Sequence, residues 1–129
     1  MKRPLVLVAL TLKIVLTLIT ISGPTAANAQ TPVNGETLFR QRCQSCHTVA
    51  AEGSVGIGPN LRGVVGRKVA TTDFKYSPAL KSSKVVWTKE ALDRYLSGPT
   101  RMIPGTRMAV SVNDPVQRAA LLQYLSQTR

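Results

Sequence analysis

Cys43, Cys46 and His47 stand in one run, Cys43-Gln44-Ser45-Cys46-His47, and are the residues here whose types and spacing can do chemistry together. Two cysteines three apart on a helical turn lie on one face. Both thiols can then reach the two vinyl groups of one porphyrin and form thioethers. The adjacent imidazole meets the iron from the same side, and Cys-x-x-Cys-His is the attachment signal for c-type haem. Other uses of these residues fit less well. A thioredoxin-like redox pair needs a surrounding βαβ pattern, which the sequence lacks. A structural zinc site takes four ligands, and the chain has two Cys and one His in all. A plain disulfide leaves His47 without a task.

The single histidine also excludes bis-histidine ligation within one chain. A second axial ligand must come from Met102 or Met108, or the iron stays open or takes a lysine. Met108 closes the turn-rich run Ile103-Pro104-Gly105-Thr106-Arg107-Met108, which can direct a side chain inward. Met102 can equally be a core side chain, the usual fate of a methionine.

The elements that must carry these residues are helical. A helix begins near Asn34, with Asn34 as N-cap and Glu36 in its first turn. Its apolar face runs through Leu38, Phe39, Arg42, Cys43 and Cys46. From His47 to Lys68 the chain is punctuated by glycines and reads as loop. A second loop-rich stretch, Ala70 to Lys84, includes a short helix at Pro78 to Ser82. Thr88 caps a helix to about Ser97, ended by Gly98-Pro99, and a loop follows through Val112. Asn113 or Asp114 caps the last helix, with Pro115 at its first position and Gln117 placed as in a capping box. No alternation supports strands. The expected fold is all-α, with three main helices and long loops around one haem. Loops of that length need something inside them to organise them.

Length and charge narrow the setting. The chain has 129 residues, 17 Lys+Arg and 6 Asp+Glu, for a net charge of +11. Residues 1–29 read as a secretory signal, with a basic start, an apolar run and the small-x-small site Ala27-Asn28-Ala29. The alternative is an uncleaved anchor, but Lys13 in mid-span would cost roughly 2.5–3.5 kcal/mol on insertion scales. Cleavage leaves one domain, residues 30–129, of 100 residues with a net charge of +8. The short basic start and early cleavage site indicate a bacterial export signal and a periplasmic protein. Export argues against a nucleic-acid partner. Two Phe, three Tyr and one Trp make a thin core for 100 residues, one that a large apolar prosthetic group would help to fill.

With these residues in place, the sequence resembles class I cytochrome c, close to the short bacterial soluble type, over Asn34 to Arg129. Besides the attachment signal, the resemblance rests on Gly58-Pro59-Asn60-Leu61, Gly66-Arg67-Lys68, Trp87 before the Tyr95 helix, and Pro104-Gly105-Thr106-Arg107-Met108, all in order. It implies one haem c per chain, bound through Cys43 and Cys46, with His47 and Met108 on the iron and Met102 off it. It also implies that the Pro59 carbonyl accepts the other N–H of His47. Arg67, Tyr76 and Trp87 match positions that meet the propionates, Tyr95 lies near the methionine sulfur, and Thr106 supports the methionine loop. Gly35, Phe39, Leu121 and Tyr124 match the crossing of the first and last helices. Leu80 departs, standing where mitochondrial relatives place an asparagine in a buried polar network. The stretch from Thr71 to Lys84 aligns loosely.

A haem with both axial positions filled offers no site to a substrate. His/Met ligation suits an outer-sphere carrier of single electrons, cycling Fe(III)/Fe(II), and not an enzyme. The positive charge, with Arg101 and Arg107 flanking the methionine loop, implies donors and acceptors with acidic docking surfaces. A weak contact with anionic membrane surfaces is compatible with the same charge. The carrier is expected to be a monomer. The alternative is a dedicated cytochrome subunit of a periplasmic dehydrogenase. A haem enzyme or gas sensor would need a labile or missing sixth ligand.

Overall fold

A computed structural model describes residues 32–52 and 56–129. The expected export signal, residues 1–29, lies outside the described residues. Helix α1 spans Gly35–Arg42. Asn34 caps it as expected, its Oδ1 accepting the Thr37 N–H at 2.9 Å. Glu36 sits in the first turn and pairs with Arg40 one turn on, at 2.5 Å on an exposed face. The helix ends at Arg42, earlier than the apolar spacing suggested. Cys43 and Cys46 lie on the turns that continue it, with the Cys46 and His47 N–H groups donating to the Cys43 carbonyl.

Helix α2, Pro78–Ser82, is short and capped by Ser77. Helix α3, Lys89–Ser97, starts at Thr88, whose Oγ1 accepts from the Ala91 N–H at 3.1 Å. Ala91, Leu92, Tyr95 and Leu96 recur at helical spacing and form its buried face. Where a loop was expected after Gly98, a one-turn helix α4 spans Pro99–Met102. Proline at a first helical position loses no hydrogen bond, so Pro99 ends one helix and opens the next. Helix α5, Pro115–Gln127, is capped by Asp114, which accepts from Val116 N–H at 2.8 Å. Asn113 is not the cap. Gln117 accepts from Arg42 Nη1 at 3.1 Å, joining α5 to α1.

Helix α5 packs on both α1 and α3, and α3 packs on α4. At the α1–α5 crossing, a Cβ on Gly35 would collide with the Ala120 carbonyl and come within 3.0 Å of the Tyr124 Cβ. The Phe39 and Tyr124 rings meet there with centroids 5.5 Å apart. Leu121, only 1 % exposed, sits at the centre of the core. Burying such a leucine contributes about 1.5–3 kcal/mol. Among the described residues there is no strand, only one bridge between Lys68 and Val86. No helix among them is long and apolar enough to cross a membrane.

Candidate functional site

The core is arranged around a cavity of about 440 Å³. Phe39, Val64, Trp87, Leu92, Tyr95 and Leu121 belong to the core and also form its walls. Cys43, Cys46, His47, Pro59, Tyr76 and Met108 line the same cavity. The turns beyond α1 therefore bring both thiols and the imidazole to a space walled by apolar side chains. Leu80 lines it too, so an apolar contact stands where mitochondrial relatives were expected to differ.

His47 is held from two sides. Its Nδ1 lies 2.8 Å from the Pro59 carbonyl oxygen. A carbonyl only accepts, so Nδ1 carries the hydrogen and the Nε2 lone pair is free for a metal. Gly58, buried next to Pro59, lies against the ring. A Cβ there would sit 2.7 Å from Nδ1 and 2.9 Å from Nε2. The chain reaches this position by a Gly58 N–H to Cys46 carbonyl bond of 2.8 Å. Sequence reasoning had Gly58 only as part of a run. The signal that could have found it is a glycine just before the proline expected to hold the histidine.

The two methionines part company. Met108 is half-buried and lines the cavity. Met102 ends α4 and packs against the core outside the cavity wall. Gly105, at φ 87°, turns the backbone in a way that favours glycine. The Thr106 N–H closes this turn onto the Ile103 carbonyl at 3.1 Å. Thr106 does not line the cavity, but its Oγ1 accepts from the Met108 N–H at 3.4 Å and bonds the Tyr95 hydroxyl at 2.6 Å. Burial pushes the Tyr95 phenol above its ordinary pKa, and the Thr106 bond partly opposes this. The Trp87 and Tyr95 rings are tilted together, with centroids 4.9 Å apart.

The three residues expected at the propionates take different positions. Tyr76 and Trp87 are buried and line the cavity. The Tyr76 hydroxyl bonds Thr72 Oγ1 at 2.5 Å, and its carbonyl accepts from Arg107 at 3.3 Å. Arg67 is not in the cavity wall. Its guanidinium donates to the Asn60 and Arg62 carbonyls, each at 2.9 Å, and so braces the loop that carries Pro59. Burial lowers its pKa, with the Tyr76 phenol acting the other way. Arg42 and Arg107 are the basic residues that do reach the wall.

Cys43 and Cys46 form no disulfide with each other. Burial raises the Cys43 thiol above its ordinary pKa, against the pull of Arg42. Two thiols, an imidazole with its lone pair released and a thioether around an apolar cavity are the donor set that haem c requires. The residues present fit that group.

A model of the Cytochrome c family matches residues 32–129. A cytochrome c of Theileria annulata is 43% identical over 97 residues, covering 74% of this chain and 84% of that protein. Cytochrome c2 of Rhodomicrobium vannielii is 39% identical over 97 residues, covering 74% and 77%. Among solved structures, cytochrome cH from Methylobacterium extorquens superposes with a TM-score of 0.67 at 33% identity, covering 72% of this chain and 94% of that one. The matched region takes in every described residue and the whole of the site, and the chain belongs to the cytochrome c family.

Proposed function

We propose that this chain is a periplasmic carrier of single electrons, holding one haem c on Cys43 and Cys46 with His47 and Met108 as axial ligands. Like its family, the chain is an electron-transfer protein and not an enzyme. The observation that carries this reading is the pairing of a preset His47 ring with Met108 on a single apolar cavity. When bound, the haem supplies a reversible one-electron couple, and a methionine ligand raises its potential.

The chain's residues supply the rest. The Pro59 carbonyl holds the proton on Nδ1, which leaves the Nε2 lone pair for the iron. Gly58 leaves the ring its place. Phe39, Trp87, Leu92 and Leu121 exclude water, which disfavours the more highly charged oxidised state. Thr106 bridges Tyr95 to the Met108 backbone, so the thioether is delivered by a braced turn. A braced site moves little between oxidation states, as an outer-sphere carrier requires. Ile57 and Val110 are exposed and border the same cavity, and Arg42 and Arg107 reach its wall. An acidic partner surface is steered to such an edge by charge.

Mass spectrometry of the protein from the bacterial periplasm tests this reading. The expected species begins at Gln30 and carries one haem that survives acid–acetone extraction. Free haem in the extract, or a detergent-dependent protein retaining residues 1–29, would overturn the corresponding half.

A further inference from the structure

Three consecutive carbonyls beyond Met108 each accept a hydrogen bond from an arginine side chain. Arg42 Nη2 donates to Ser111 at 3.3 Å. Arg118 Nη1 donates to Val112 at 3.0 Å and to Asn113 at 2.9 Å. Val112 is 2 % exposed, and its N–H donates to the Leu96 carbonyl at 2.8 Å. Among the described residues, Arg107 to Ser111 make no backbone–backbone hydrogen bond. The strap that presents Met108 is therefore tied at the Thr106 turn on one side and at Val112 and Asn113 on the other.

Part of the second tie, the bonds to the Val112 and Asn113 carbonyls, depends on how Arg118 is itself held. Its Nε donates to Asp93 Oδ1 at 2.7 Å. The Arg118 side chain is only 12% exposed, while Asp93 is 41% exposed. A nearly buried guanidinium without a counter-charge is costly. Asp93, on α3, neutralises it and fixes the plane of its fork. The fork then points one nitrogen at two adjacent carbonyls of the strap. Lysine has no such planar fork and cannot reproduce it.

We propose that Asp93 and Arg118 are positioning residues for Met108, holding the far end of its strap so that the thioether stays on the iron. This rests on Met108 being the axial ligand. Neither residue lines the cavity, and they act through the Val112 and Asn113 carbonyls.

The test compares haem-loaded wild type with Asp93→Ala, Asp93→Glu, Arg118→Lys and Met108→Ala. Glu36→Ala serves as control, since it breaks an exposed ion pair away from the strap. Readouts are the sulfur-to-iron absorption band of the oxidised protein, the carbon monoxide association rate of the reduced protein, and the melting temperature. Asp93→Ala and Arg118→Lys should weaken the band and speed carbon monoxide binding about tenfold, the scale of a lost charge-assisted hydrogen bond. Asp93→Glu should restore most of the wild-type behaviour, and Glu36→Ala should leave band and rate unchanged. Asp93 is partly exposed, so Asp93→Ala decides the matter alone should Arg118→Lys fail to accumulate. A lower melting temperature with band and rate at wild-type values would overturn the proposal, leaving the pair purely structural. A band missing in wild type, or surviving Met108→Ala, would instead overturn the ligand assignment beneath it.

Discussion

The Gly58 backbone lies against the His47 ring, so close that a single added carbon would fall within 2.7 Å of Nδ1. The same ring donates to the Pro59 carbonyl at 2.8 Å. One dipeptide thus sets both the position and the tautomer of the histidine. Gly58→Ala should displace the ring and strain the Pro59 bond. Overpacking of this kind costs about 1–3 kcal/mol. Thermal unfolding of the haem-loaded protein should show the loss, and the midpoint potential should shift with it. An unchanged potential and melting temperature would mean that the loop yields freely.

Met108→Ala should abolish the sulfur-to-iron band at the red edge of the visible spectrum. It should also lower the potential and admit carbon monoxide to the reduced haem. Met102→Leu should retain the band, because Met102 lies outside the cavity wall. That swap nearly conserves volume and should cost under about 1.5 kcal/mol. Ready binding of carbon monoxide by the wild type at neutral pH would favour a sensor or enzyme.

Tyr95 gives the site an alkaline limit. Its folded pKa is raised above the ordinary 10.0 by burial. The folded state therefore keeps the proton that the unfolded state loses first. The associated stability is fully present below pH 10 and is lost as pH rises through the folded value. Removing the Thr106 hydroxyl should push Tyr95 higher still, because that bond favours the ionised form. An ultraviolet tyrosinate titration should show this order between wild type and Thr106→Val, with Tyr95→Phe identifying the Tyr95 step. Titration of Tyr95 at its ordinary value would contradict the burial argument.

Association with an acidic redox partner should be fast and should weaken with salt. The Arg107 side chain lines the cavity edge, whereas Arg129 is the chain's last residue, away from the cavity wall. Stopped-flow electron transfer should therefore slow more with Arg107→Glu than with Arg129→Glu. At about 0.15 M ionic strength the screening length is roughly 8 Å, so the difference should shrink at higher salt. A rate that is flat from low to high salt would argue against docking at this edge.

Much of the site is legible in the amino-acid order because its chemistry is local. Cys43, Cys46 and His47 lie within five residues, and their spacing alone sets what they can reach. The caps at Asn34, Thr88 and Asp114 are local too, each closing a bond two or three residues ahead. Sequence also narrowed the sixth ligand to Met102 or Met108, with lysine or an open iron still standing. The family resemblance favours Met108, and the tertiary structure places Met108 on the cavity and Met102 outside it, which depends on how α3, α4 and the strap pack. It likewise showed Arg67 bonded to the Asn60 and Arg62 carbonyls of the loop that carries Pro59. It placed Gln117 against Arg42 and not in a capping box, and joined Asp93 to Arg118 across 25 residues. An arginine's partners are chosen by whichever acceptors the fold brings within reach of its long side chain, and no pattern of neighbouring residues encodes that choice.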